Sequence, residues 1–203
     1  MANEKVIEMH RSKIHGAANL LARAFWDDPM IVFLFPDVEV RREREPSFFS
    51  LNMEHAVVGG ELYTTTSFRG ISVWRFLGDE TISRVDTVND PRNRLPEAMG
   101  DGPFQRLMII AKYTNEMHKR LVQKKHCYLL FLGVEPDQQG KGYGSLLIEP
   151  VIKRADKKCL SCYLETMKQS NLAFYRKHGF QVADEKQIPD SELHIWALLR
   201  SAT

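Results

Sequence analysis

An unbroken apolar run, CYLLFLGV at 127–134, leads straight into GVEPDQQGKGYGSLL at 133–147, and that stretch leads into a helical pattern. The run lacks the apolar–polar alternation of a half-exposed strand, so it reads as a central strand covered on both faces. The glycine-rich segment that follows holds Gly133, Gly140, Gly142 and Gly144. Glycine at that density marks a backbone that must approach something closely. The choices are a nucleotide, another phosphate-bearing cofactor, or only a tight turn.

The flanking sequence sets this strand–loop–helix unit in a larger order. Residues 5–11 alternate and read as a first strand. Residues 12–29 place Ile14, Ala17, Ala18, Leu21, Ala22 and Phe25 at helical spacing, with Ser12 as cap and Pro29 as stop. Residues 30–37 make a short aromatic turn of helix. From Val38 to Val58 two helical pieces are expected around Pro46, the charge run EVRREREP being a solvated face. Residues 61–68 and 70–77 read as a hairpin turning at Arg69 and Gly70. Residues 78–103 read as an irregular connection, long enough to be a functional loop. An amphipathic helix follows to Leu121. Beyond the glycines come a helix from Tyr143 to Ala155, which Pro150 should kink or loosen, and a strand at 159–166. A helix then starts at Ser170 or Asn171 and ends at Gly179, and two paired strands close the chain. The reading is one domain over 1–203, α/β or α+β, with a mixed sheet and a β-loop-α-β-α-β unit at 127–185.

Composition narrows the function. The 203 residues carry a formal net charge of +2, so no strong overall field selects nucleic acid or an anionic membrane. No apolar run approaches the ~18 residues of a membrane span. The N-terminal MANEKVIEMHRSK lacks the apolar core of a secretory signal. Cys127, Cys159 and Cys162 make an odd count, which argues against a disulfide framework and for a reducing compartment, the cytoplasm. Cys159 and Cys162 form C-x-x-C with no second ligand pair to complete a zinc site, so they read as plain thiols, and no metal is expected.

Known phosphate-binding patterns test the glycine stretch. A P-loop fails twice: Gly142 stands where a magnesium-binding hydroxyl belongs, and Glu135 stands where the first glycine belongs. A dinucleotide fingerprint lacks its third glycine in either register, although Glu165 falls about 20 residues on, where a ribose-binding acid would sit. What remains is a row of backbone N–H groups at a helix N-terminus, a concavity that suits a pyrophosphate.

Gln139, Gly142 and Gly144 fit the pattern Gln/Arg-x-x-Gly-x-Gly/Ala, with Val134 and Pro136 ahead of it. Asn171, Tyr175 and RKHGF ending at Phe180 follow downstream. Together these motifs, spanning 129–155 and 160–182, resemble the GNAT N-acetyltransferase superfamily. The blocks LARAFWDDPMIVFLFPD and CYLETMKQSNLAFYRKHGF are similar to a subgroup of puromycin-type and small-amine acetyltransferases.

The resemblance implies a mostly antiparallel central sheet flanked by helices and splayed between its two central strands. It implies acetyl transfer from acetyl-CoA to a primary amine by direct attack in a ternary complex. Leu132, Gly133 and Val134 would pair with the pantetheine arm. Gln139, Gly140, Lys141, Gly142, Tyr143, Gly144 and Ser145 would cradle the pyrophosphate. Asn171, Phe174, Tyr175 and Lys177 would meet the cofactor from the next helix. Tyr175 would give a proton to the departing thiolate. Glu165 is one candidate for the base, Asp27, Asp28, Glu54 and His126 are others, and water is a further carrier of the proton. Phe25, Trp26, Asp28 and Trp74 would shape the acceptor pocket, beside which the 78–103 connection is expected. The acceptor would be a small-molecule or peptide amine, and the protein a monomer or homodimer. A non-catalytic CoA-binding module on the same fold is the alternative.

Overall fold

The computed structural model describes residues 4–78 and 88–202. In chain order the elements are β1 (Val6–Glu8), α1 (Ile14–Phe25), α2 (Pro29–Leu34), α3 (Val38–Ala56), β2 (Gly60–Thr65), β3 (Gly70–Leu77), α4 (Leu95–Met99), α5 (Asp101–Leu121), β4 (His126–Val134), α6 (Tyr143–Lys157), β5 (Ser161–Thr166), α7 (Asn171–Lys177), β6 (Gln181–Gln187) and β7 (His194–Arg200). The strands form one sheet in the order β1-β2-β3-β4-β5-β7-β6. Each neighbouring pair is antiparallel except β4 with β5, which are joined through α6 and run parallel.

That one parallel pair is only half made. Its ladder holds His126–Tyr128 against Ser161–Tyr163 and then stops, while β4 stays paired with β3 up to Val134. The strands therefore part beyond Tyr128, leaving the β5-facing edge of residues 129–134 without a strand partner among the described residues.

A bulge in β4 accompanies the split. Val73 pairs with Phe131 but Trp74 pairs with Leu129, so Leu130 is the extra residue. An inserted residue reverses the alternation of side chains beyond it. Before the bulge, Cys127 and Leu129 face the core built on α6. After it, Phe131 faces the core built on α1 and α3. Gly133 follows Phe131 on that face, where an added Cβ would meet Leu21 Cδ2 at 2.6 Å, so glycine there lets α1 lie directly on the strand.

Three expectations about the helices need correction. Ser12 does not cap α1; the His10 ring accepts the Ser12 amide at 3.2 Å and caps a short 3-10 turn ahead of it. Pro46 does not divide the helix, because α3 runs unbroken from Val38 to Ala56 with Phe48, Phe49 and Met53 buried past the proline. Pro150 likewise lies inside a continuous α6; it sits on the exposed side while Leu147, Ile148, Val151 and Ile152 keep the buried face intact.

The charge run at 39–45 is solvated only in part. Arg42 and Glu43 are exposed, but Arg41 and Glu45 are buried. Arg41 donates to the carbonyls of Phe35 and Trp26, both at 2.9 Å, and stacks on the Trp26 ring. It thereby pins the segment that carries Asp28. Both Glu45 carboxyl oxygens lack a hydrogen-bond partner, and burial pushes this acid up to about 8 against the pull of Arg41.

The 78–103 connection is partly helical. Residues 79–87 lie outside the described residues. Asp90 caps a 3-10 turn and holds His55 at 3.1 Å, and Leu95 and Met99 of α4 are buried against α3. Its described part packs on the outer side of α3 rather than beside the split between β4 and β5.

Candidate active site

The loop after β4 turns through Gly140 (φ 74°) and Gly142 (φ 85°), left-handed conformations that cost glycine little. Gly142 is the residue ahead of α6 and offers no side-chain cap. The first-turn amides of Tyr143, Gly144 and Ser145 are therefore left for an outside acceptor, at the positive end of the helix dipole. They border a cavity of about 390 Å³. Leu132, Gly133, Val134, Gln139, Gly140 and Gly142 line it from the strand and loop. Asn171, Phe174, Tyr175 and Lys177 line it from α7. At Gly144 an added Cβ would stand 3.2 Å from the Phe174 ring, so this glycine lets α6 and α7 close on one another.

Two of the loop's side chains are already committed. Gln139 Nε2 donates to Val134 O at 3.2 Å and ties the loop to the strand end. Lys141 Nζ donates back to Asp137 O at 2.7 Å, and the residue lies outside the cavity lining. The cations that do line this cavity are Lys168 and Lys177. Ser145 Oγ is 2.8 Å from His178 Nε2, a bond between the starts and ends of neighbouring helices.

A second cavity, of about 190 Å³, opens where β4 and β5 part. The two cavities share Phe25, Asp28, Leu132, Asn171 and Tyr175, so their junction is a specific place in the fold. Tyr175 is buried there, and burial, helped by the nearby Asp28, raises its phenol so that it stays protonated at neutral pH. Asn171 Nδ2 donates to Thr166 Oγ1 at 3.2 Å, which fixes the start of α7 against β5. Asp28 caps α2 by accepting the Met30 amide at 3.0 Å; burial raises its carboxyl, opposed by that amide and by Lys168.

Glu165 lines the second cavity from β5. Burial pushes its carboxyl up to about 7, and the phenols of Tyr128 and Tyr163 hold it from rising further. Its Oε1 is sealed from bulk solvent and has no aligned hydrogen-bond partner, as is true of Tyr163 Oη. Behind this pair, His118 stacks on Tyr163 with ring centroids 4.4 Å apart, and its Nε2 lies 2.7 Å from His126 Nε2. His126 is thus bonded within that cluster, with Nδ1 donating to Lys124 O, and does not reach the junction.

Other expected residues lie elsewhere. Trp74 follows Ser72 on the α6 side of β3 and is wholly buried in that core, on the opposite face of the sheet from Glu165, so it lines neither cavity. Trp26 and Asp27 line a separate groove beside α1, with Trp26 under Arg41. Glu54 is paired with Arg94 at 2.5 Å on the protein surface. The residues not foreseen are Tyr128, Phe48, Phe131, Asn52 and Thr114 of the second cavity. Alternation along β5 puts Tyr163 and Glu165 on one face and was readable. The approach of α3 and α5 across the sheet had no local signal.

The arrangement joins a row of free amides, a protonated phenol and a carboxyl that titrates near neutrality through one junction. Chemically it suits an anionic cofactor in one cavity and a proton-bearing nucleophile in the other.

Known proteins resemble this chain in sequence and in fold. Residues 108–180 match the sequence model of the acetyltransferase (GNAT) family. An uncharacterized N-acetyltransferase of Schizosaccharomyces pombe is 26% identical over 170 residues, covering 81% of this chain and 69% of that protein. A crystal structure described as histone acetyltransferase HPA2 and related acetyltransferase, from Corynebacterium glutamicum, superposes with a TM-score of 0.72 at 19% identity, over 98% of this chain and 97% of that one. Arylalkylamine N-acetyltransferase 2 of Aedes aegypti superposes with a TM-score of 0.66 at 13% identity, over 99% and 100% of the two chains. At these identities the structural likenesses carry the fold.

Proposed function

We propose that the chain is an acetyltransferase of the GNAT superfamily and that it moves an acetyl group from acetyl-CoA to a primary amine by direct attack in a ternary complex. The observation that carries the reading is the junction: the cavity under the glycine loop and the cavity beside Glu165 meet at Tyr175, Asp28 and Leu132. A donor and an acceptor seated in the two would touch there, so no covalent relay through the protein is required.

The residues present fit the donor. Glycines at 140 and 142 leave the loop backbone bare, the α6 amides lack a side-chain cap, and Lys168 and Lys177 add charge opposite. A pyrophosphate would be held by those amides without a metal. The unpaired edge of residues 132–134 would take the pantetheine amides as a sheet edge takes another strand. When bound, acetyl-CoA supplies the activated acyl carbon. A backbone N–H near Leu132 would steady the carbonyl oxygen as charge develops on it. Glu165, titrating near 7, would take the proton from the amine. Tyr175 would give its proton to the sulfur as the C–S bond breaks, and its raised pKa keeps that proton in place until then.

An amine acceptor is also consistent with the activity named for the Aedes aegypti neighbour. Cys127, Cys159 and Cys162 are all free thiols, which supports a reducing compartment such as the cytoplasm. Among the described residues no helix is long and apolar enough to cross a membrane. Titration calorimetry with acetyl-CoA, followed by thiol release on adding amines, tests the proposal. Micromolar binding with amine-dependent release is expected, and absence of binding would overturn it.

A further inference from the structure

The second cavity constrains the acceptor beyond its being an amine. Much of its wall is apolar, and Asn52, Thr114, Thr166 and Asn171 are its neutral polar members. Phe25, Phe48 and Phe131 meet edge-on, with Phe131 6.2 Å from Phe25 and 6.1 Å from Phe48. Leu107, Ile110 and Ala111 of α5 also line it. At about 190 Å³ the space falls below the ~300–1,000 Å³ of pockets that enclose drug-sized ligands.

The charge of the lining is one-sided. Among the described residues its ionisable groups are Asp28, Glu165, Tyr128 and Tyr175, with no lysine, arginine or histidine. A carboxylate or phosphate on the acceptor would be buried beside two acids with no cation to meet it, which is strongly unfavourable. The two acids are not equally available. Asp28 is engaged as the cap of α2, whereas Glu165, beside the Tyr128 and Tyr163 phenols, keeps a buried Oε1 with no aligned hydrogen bond on the cavity wall. One positive nitrogen can therefore be matched, and a second would meet no further free carboxylate, only the Phe25, Phe48 and Phe131 rings, aliphatic side chains and neutral groups such as Asn52 and Thr114.

We infer that the acceptor is a compact primary monoamine with an apolar aryl or branched-alkyl body and no acidic group. The inference rests on the acetyl-transfer reading above and names the substrate class of that same site. The amine end lies toward Glu165 and the junction, and the apolar body lies against the Phe25–Phe48–Phe131 wall.

The test measures kcat/KM by thiol release from acetyl-CoA with four acceptors: 2-phenylethylamine, phenylalanine, spermidine and a hexapeptide with a free N-terminus. Phenylalanine is the first amine with a carboxylate added, so the pair isolates that charge. 2-Phenylethylamine is expected to exceed phenylalanine by at least about 100-fold, as expected where a buried group is left unpaired, and to exceed spermidine and the peptide as well. An Ala111→Phe variant fills the cavity from α5. It should retain acetyl-CoA affinity, which confirms folding, while losing most turnover of 2-phenylethylamine and keeping more of that with methylamine. Equal or faster turnover of phenylalanine, spermidine or the peptide overturns the acceptor class and leaves acetyl transfer standing. Unchanged selectivity of Ala111→Phe also overturns it. Thiol release with none of the amines overturns the acetyl-transfer reading itself.

Discussion

The two ends of the β4–β5 pair are built from similar strand sequence and do opposite things. At the closed end, Cys127 lies opposite Cys162 in a parallel ladder, both buried against α6. At the open end the ladder is missing, the β4 edge is bare, and Glu165 holds a buried Oε1 with no aligned hydrogen bond. Buried polar groups are ordinarily satisfied because leaving one without a partner costs roughly 1–3 kcal/mol. The closed end is held by backbone pairing. The open end carries an unmet demand for hydrogen bonds that a ligand can fill.

The comparison is sharpened by substitutions confined to one end. The largest effect is expected at the open end from Gly142→Asp. A side chain at φ 85° is strained, and a carboxylate there faces any bound anion. Acetyl-CoA affinity measured by calorimetry should fall by at least about 100-fold. Tyr175→Phe should lower kcat by about 100-fold with acetyl-CoA affinity held within a few-fold, since the ring packing remains and only the proton is lost. Unchanged kcat would remove the acid role from Tyr175.

Glu165→Gln should lower acceptor kcat/KM by about 10-fold or more. The pH profile carries the finer test. The carboxyl is raised to about 7, so its basic form fills in as pH rises through that value, and wild-type kcat/KM should rise with it. The Gln variant should lose that rise, and a profile that keeps it would assign the base elsewhere. The smallest effect belongs to the closed end. Cys162→Ala should cost about 1 kcal/mol in denaturant unfolding and leave acetyl-CoA affinity and kcat unchanged.

The strand–loop–helix–strand–helix order from 127 to 180 was legible because it depends on local signals: an apolar run, glycines with no alternative use, and a helix ended by Gly179 (φ 83°). Tyr175 and Asn171 could be placed on one helix face from their spacing alone. Trp74 could not. Its face depends on the register of β3, and the bulge at Leu130 changes which β4 residues accompany it. Pro46 was misread because local propensity opposes a helix there, whereas burial of Phe48, Phe49 and Met53 on one face of α3 overrides it. Charge and proximity point Lys141 toward a phosphate, and nothing in the sequence reveals the Asp137 carbonyl to which its ammonium donates. The Tyr128–Tyr163–Glu165 cluster needs two strands in register, which is information no single segment holds.

The central claim is that the open end of β4–β5 and the loop beyond it receive acetyl-CoA. Amide hydrogen exchange with and without acetyl-CoA tests it residue by residue. Exchange should slow at residues 132–134 and 140–145 on adding the ligand, while residues 126–128 and 161–163, already laddered, should not change. Unaltered exchange at 140–145 in the presence of saturating acetyl-CoA, or protection confined to other parts of the molecule, would contradict it.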